Sequence, residues 1–250
     1  MEQRLDEWVK NYNDDYFNRQ FENPYRSTIK FCDWLESLGL FKNVSEAKFL
    51  DMCTGKGSNV YYMYKRFPKC KFLGLDINDN FIKEGMDFLA HKNIKSCKLE
   101  YGDLYNLDIK KHVNQFKGIL SYQTLSWLPE YETAVNEMIK LNPKWIAVSS
   151  LFYDGLVDCK IEIKEYNNSM DKTSSNNSFY NVYSIPRIKN FFAERGYTLF
   201  KYCPFEIDID LPKPKHSHMQ TYTKKLEDNS RIQISGPLLM NWYFIYASKE

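Results

Sequence analysis

No stretch of this 250-residue sequence reaches the roughly 20 uncharged apolar residues that a membrane-crossing helix needs. The opening residues, MEQRLDEWVK, are acidic and amphipathic and lack the apolar centre of a secretion signal, so a soluble, cytoplasmic protein is expected. Cys32, Cys53, Cys70, Cys97, Cys159 and Cys203 are scattered with no CxxC pair. That spacing argues against a zinc ribbon or a disulfide framework and for reduced thiols. Basic residues gather only in short pairs such as Lys110–Lys111 and Lys224–Lys225, and a net charge of +2 does not by itself imply a nucleic-acid partner. Internal repeats and low-complexity tracts are also missing. Aromatic residues are plentiful at 16%, enough to line a binding cleft, and argue against a disordered chain. The length suits one medium domain with a sizeable core.

The stretch FLDMCTGKGSNV, residues 49–60, organises the rest. An apolar run ends on Asp51, turns through Gly55 and Gly57, and enters a helical pattern headed by Ser58. Glycines let the main chain approach a ligand closely, and a helix N-terminus offers unpaired N–H groups.

Around it the chain alternates. Leu5, Trp8, Val9 and Tyr12 recur at helical spacing, the segment NDDYFNRQFENPY breaks that pattern, and a second helix runs from Ser27 to a stop at Gly39. This preamble can cap the sheet, or its aromatic linker, residues 12–25, can fold over a ligand as a lid. KFLDM, KFLGLDI, CKLEYGD, GILSYQ and WIAVSSLFY read as five strands. Helices are expected over 58–67, 79–91 and 130–141 between them. Such alternation predicts a parallel sheet covered on both faces. GLVDCKIEIKEY alternates as an extra strand would, and NNSMDKTSSNNS is a polar loop. A helix beginning near Pro186 and ending at Gly196 leads to two closing strands, TLFKYCPFEIDID and LLMNWYFIYASKE. The long connection 211–237 between them is expected to be functional or partly structured.

In an open parallel sheet the ligand lies beyond the carboxyl ends of the strands. Those ends carry Asp51 to Ser58, Asp76, Gly102–Asp103 and Ser121 to Thr124. Asp76 follows Gly57 by nineteen residues, where a carboxylate can accept hydrogen bonds from both ribose hydroxyls of an adenosine. Asp103 is suited to an adenine amino group or to a backbone contact. Either carboxylate alone could be a strand-end cap.

With Asp51, Gly55, Gly57, Asp76 and Asp103 in register, the chain from about residue 49 onward resembles the class I S-adenosylmethionine-dependent methyltransferases. Cys53 stands where the Asp-x-Gly-x-Gly-x-Gly motif of that family has its first glycine. Lys117, near the start of the fourth strand, and NPKW, before the fifth, also depart from the family pattern. The resemblance implies an α/β, Rossmann-like fold: a seven-stranded, mostly parallel sheet whose last strand, WYFIYAS, is antiparallel, with a helical N-terminal cap. It implies a single domain, with 1–45 as cap or lid, 46–153 as the cofactor half, and 154–250 as substrate-side insertions and closing strands. It implies S-adenosyl-L-methionine as cofactor, with Asp51, Cys53, Gly55, Gly57 and Ser58 in the turn. Asp76 and Ile77 would meet the ribose, Asp103 and Leu104 the adenine, and Tyr122 the neighbourhood of the sulfonium. A dinucleotide oxidoreductase is the rival use of this geometry, but Val60 stands where GxGxxG would need a third glycine.

Acceptor groups are expected from Tyr16, Tyr25, Arg26, Trp127, Tyr153, Asp154, Tyr222 and Arg231. His216 and His218, half of the chain's four histidines, are the candidate catalytic bases for a hydroxyl acceptor. They can equally decorate a solvent loop, or join Asp208 or Asp210 at a metal, although no metal is expected. His91 and His112 read as structural. The GKG of the turn is similar to that of messenger-RNA cap guanine methyltransferases. The tail resembles bacterial methyltransferases encoded among surface-polysaccharide genes. O-methylation of a sugar, a nucleotide-linked precursor or a capsule decoration is therefore expected. An RNA methyltransferase and a non-catalytic cofactor-binding scaffold are the alternatives. The expected partner is a small-molecule substrate rather than nucleic acid or membrane, and self-association as a homodimer is allowed for.

Overall fold

A computed structural model describes residues 14–42, 44–165, 176–214 and 219–249. Its frame is five parallel strands: β1 (Lys48–Met52), β2 (Lys71–Asp76), β3 (Cys97–Tyr101), β4 (Gly118–Tyr122) and β5 (Trp145–Tyr153), side by side as β3-β2-β1-β4-β5. The chain steps outward from β1 to β3 and then returns to the other side of β1. A crevice therefore opens between the carboxyl ends of β1 and β4. These strands read as apolar runs because both faces are covered; in β5 only Tyr153 is exposed.

Short strands β6 (Glu162–Glu165) and β7 (Asn176–Phe179) pair with each other, and β8 (Tyr183–Ser184) adds to the end of β5. After β9 (Leu199–Phe205), strands β10 (Thr221–Lys225), β11 (Arg231–Ser235) and β12 (Leu238–Leu239) form a small antiparallel sheet. The closing strand β13 (Trp242–Ser248) inserts between β5 and β9, antiparallel to both. The main sheet is the expected seven-stranded one, with β8 as a two-residue extension.

Seven helices are described: α1 (Asp14–Glu22), α2 (Arg26–Ser37), α3 (Ser58–Arg66), α4 (Asp79–His91), α5 (Ile109–His112), α6 (Glu132–Lys140) and α7 (Ile185–Ala193). Side chains of α2, α3 and α4 bury one sheet face with Phe49, Phe72 and Leu120, while α6 and α7 bury the other with Leu50, Ile119 and Val148. Caps set the helix limits. Asn78 accepts from the Asn80 and Phe81 amides at the start of α4, and Ser184 accepts from the Arg187 amide beside Pro186 at the start of α7. Gly39 and Gly196 close α2 and α7 at φ +80° and +82°.

Two segments differ from expectation. The supposed linker before Pro24 contains helix α1. The helix begins at Asp14, inside the segment whose composition breaks the apolar pattern. Phe21 then anchors it by stacking on Phe88 at 4.0 Å. In the polar stretch 167–178, residues 176–178 pair as part of β7; residues 167–175 lie outside the described residues, as does the expected helix around Leu5 and Tyr12.

At the end of the sheet opposite the crevice, five lysines align, two beginning strands and three flanking them. Lys71 is in register with Lys48; the Lys117 amide bonds to the Lys48 carbonyl, that of Lys144 to Lys117, and that of Lys249 to Lys144. Among the described residues no helix is long and apolar enough to cross a membrane.

Candidate active site

The turn after β1 is built from left-handed residues. Cys53, Gly55 and Gly57 have φ of +57°, +58° and +83°. Cys53 thus adopts the conformation that a glycine would take freely, at a cost of about 1–2 kcal/mol. The strain is held by neighbours: the Thr54 amide bonds to the Leu75 carbonyl, and the Gly57 amide bonds to the Thr54 carbonyl, each at 3.0 Å. Burial pushes the Cys53 thiol well above its usual range, with Asp76 and Asp51 adding to the effect, so it is a neutral packing group. Gly57 cannot carry a side chain, since a Cβ would stand 2.7 Å from the Leu99 methyls.

Three carboxylates surround the turn. Asp51 is buried; the Thr54 hydroxyl donates to its Oδ2 at 2.7 Å, whereas its Oδ1 has no partner. Burial raises its pKa to about 7, the Thr54 hydrogen bond opposes this, and the Asp76 charge adds to it. Asp76 at the end of β2 accepts from the Gly55 amide at 2.7 Å and the Asn78 amide at 3.0 Å. Burial raises its pKa and those amides restrain the rise. An ionised carboxylate has about four acceptor positions. Lone pairs of Asp76 therefore stay open to the cavity, and they match a pair of vicinal hydroxyls. Asp103 follows β3, with its Oδ1 accepting from the Tyr105 amide at 2.9 Å. Tyr122 ends β4 with its hydroxyl 3.5 Å from the Cys32 sulfur; burial holds its pKa well above the usual tyrosine range, which keeps it protonated.

Helix α1 closes over this turn. Ser58 donates its hydroxyl to Gln20 at 3.2 Å, and Lys56 donates to Asn18 at 3.3 Å while pairing with Glu84 of α4 at 2.5 Å. The Lys56 side chain is only 1% exposed, so this lysine is an internal clamp joining α1, the turn and α4. Gly85 gives α4 the close approach required, because a Cβ there would lie 2.2 Å from the Lys56 carbonyl oxygen. The sequence marks Lys56 as one letter of a GKG; only the fold makes it structural.

A cavity of about 840 Å³ opens at the crevice. Cys53, Gly55, Ser58, Asp76, Ile77, Asp103, Leu104 and Tyr122 line one part of it, while Asp51 and Gly57 sit behind the lining in the turn. Tyr25, Arg26 and Trp127 line the other part together with Phe205, Ile207, Met219 and Trp242, four residues that sequence reasoning missed. Apolar residues in a tail carry no signal that separates wall from core. Tyr153 and Tyr222 are not in the lining. Tyr153 is 51% exposed because β5 ends there with its side chain turned outward, and the Tyr222 ring lies under Lys213 at 6.0 Å. Asp154 accepts from the Tyr202 hydroxyl, and Arg231 pairs with Asp210. Tyr16 lies in α1 with its side chain outside the described residues; His216 and His218 lie outside them altogether. Among the described residues no cluster of three or more His, Cys, Asp or Glu could hold a metal ion.

Comparison with known proteins places this geometry. A family model described as a methyltransferase domain matches residues 43–234. The magnesium protoporphyrin IX methyltransferase of Synechocystis PCC 6803, solved with S-adenosylhomocysteine bound, superposes with a TM-score of 0.56 at 10% identity, covering 97% of this chain and 98% of its own. A SAM-dependent methyltransferase from Aquifex aeolicus gives 0.52 at 12% identity, covering 95% and 98%. The YcgJ protein of Bacillus subtilis gives 0.55 at 9% identity, covering 89% and 98%. At such identities these structures share the fold. A search of curated proteins finds no match.

Proposed function

Since this chain belongs to the methyltransferase domain family and is an S-adenosylmethionine-dependent methyltransferase, we propose that it methylates an oxygen of a small acceptor, either a sugar or a nucleotide-linked precursor of the kind that decorates surface polysaccharides. One observation carries the reading. A single cavity joins the glycine turn and its carboxylates to a wall of Trp127, Trp242 and Phe205. Its volume of about 840 Å³ falls within the range of small-molecule and cofactor sites.

When bound, S-adenosylmethionine would supply an electrophilic methyl group for the acceptor oxygen and would leave as S-adenosylhomocysteine, the acceptor's proton passing to His216 or His218. Asp76 would take the ribose hydroxyls through its open lone pairs, with the Gly55 and Asn78 amides fixing its orientation. Asp103 and Leu104 would frame the adenine. Tyr122, protonated and held at Cys32, would flank the methyl group as a neutral wall. Helix α1 would exclude water and hold the reactants in line, which is most of what such a displacement requires. The aromatic wall suits the C–H face of a sugar ring and leaves the ring's hydroxyl edge toward Tyr122. His216 and His218 are the proposed bases.

The test is release of S-adenosylhomocysteine with a panel of nucleotide sugars and free sugars. Turnover that survives unchanged in a His216→Ala/His218→Ala double variant would remove both from the reaction. Binding of cofactor with no turnover on any member would favour a scaffold role. RNA is the second reading; the row of lysines at the far end of the sheet offers it a basic surface, but one opposite the cavity. It requires affinity that falls steeply with salt.

A further inference from the structure

Among the described residues, four charged side chains line the whole cavity: Asp76, Asp103, Arg19 and Arg26. The carboxylates stand at strand ends beside the glycine turn. The guanidiniums come from α1 and from the first residue of α2. Arg26 is fixed from outside, where it pairs with the Asp208 carboxylate, whose side chain is 72% exposed. Its Nε is nevertheless buried and has no hydrogen-bond partner among the described residues. Guanidinium nitrogens only donate. A buried charged donor without a partner is costly, so this N–H calls for an oxygen that the wall of Trp127, Phe205, Ile207, Met219 and Trp242 does not supply.

Helix α2 also links the two parts of the site: Cys32, which touches the Tyr122 hydroxyl at 3.5 Å, lies on the same helix as Arg26.

We propose that the acceptor is an anion: a small molecule bearing a carboxylate or phosphate group, docked through that group on Arg26, with its methylated atom near Tyr122. The proposal rests on the methyltransferase reading and narrows its substrate class. It favours an acidic sugar or a phosphorylated precursor over a neutral one. Arg19, on the same rim, adds positive potential without being the primary contact.

The experiment titrates inorganic phosphate and acetate calorimetrically into the protein, with and without saturating S-adenosylhomocysteine, and repeats this for Arg26→Gln and Asp208→Asn. The wild type should show one site of about millimolar affinity. Arg26→Gln should weaken it at least about tenfold, which is about 1.4 kcal/mol. Asp208→Asn breaks the same ion pair but leaves the guanidinium, and should retain the site. Absence of an anion site in the wild type, or wild-type anion binding by Arg26→Gln, would overturn the proposal. So would an Arg26→Gln variant that loses affinity for S-adenosylhomocysteine but not for 5′-methylthioadenosine, because the guanidinium would then serve the cofactor's own carboxylate. If S-adenosylhomocysteine fails to bind the wild type, the cofactor reading falls. The titration without it still decides the anion site.

Discussion

Asp76 combines two duties that a single substitution removes together. Its carboxylate holds the Gly55 and Asn78 amides and keeps lone pairs open to the cavity. Hydrogen bonds to a charged group contribute about 1.5–3 kcal/mol each, so Asp76→Ala should weaken S-adenosylhomocysteine about 100-fold by calorimetry; unchanged affinity would remove Asp76 from the site. Asp51 governs a pH effect. Its folded pKa of about 7 lies above its ordinary value of 3.8, so the native state holds the proton more tightly than the unfolded state does. This contribution to stability is fully present below the lower value and is lost as pH rises through about 7. Melting temperature should therefore fall over that window, and the fall should be shallower in Asp51→Asn. Asp51, Asp76 and Asp103 were legible in sequence because each follows an apolar run at a fixed place. The left-handed Cys53 and the buried Lys56 were not, since neither residue type announces its conformation or its burial.

At the scale of elements, the contact of α4 with the glycine turn makes an unusual forecast. Alanine is favoured over glycine in a helix by about 0.8–1.0 kcal/mol. Gly85→Ala should nevertheless destabilise the protein by about 1–3 kcal/mol in urea unfolding, because the new methyl would meet the Lys56 carbonyl at 2.2 Å. Helix α1 is held by Phe21 on Phe88 and by polar contacts to Lys56 and Ser58. Phe21→Ala should speed amide exchange across α1 and raise the dissociation rate of S-adenosylhomocysteine about tenfold, while the sheet amides stay protected. If α1 and the sheet lose protection together, it is not a separable lid. Strands β1 to β5 could be read from sequence because two-sided burial leaves continuous apolar runs. Helix α1 could not, because Asp14, Asp15 and Asn18 make its sequence look like a turn and its anchor is a ring far along the chain. The Asn and Ser of β7 carry little strand preference and depend on pairing with β6.

At the scale of the whole molecule, sheet order supplies what sequence cannot. The five aligned lysines belong to segments far apart in the chain, and no basic run foretells them. They lie opposite the cavity, so a polyanion seated there would not present an atom to Tyr122. Little RNA binding is expected at moderate salt, with turnover on small acceptors undiminished; tight RNA binding that weakens steeply with added salt would reverse that expectation. The closing strand has a consequence for biosynthesis. Each of its seven residues pairs with both β5 and β9, and both of those neighbours are synthesised before it. While translation continues toward residue 242, the outer edge of β5 has no neighbour and β9 has nowhere to attach. A nascent chain paused in that interval presents an open, apolar sheet edge to other chains. Completion of the native sheet then waits on one late, long-range pairing, the slowest kind of contact to form.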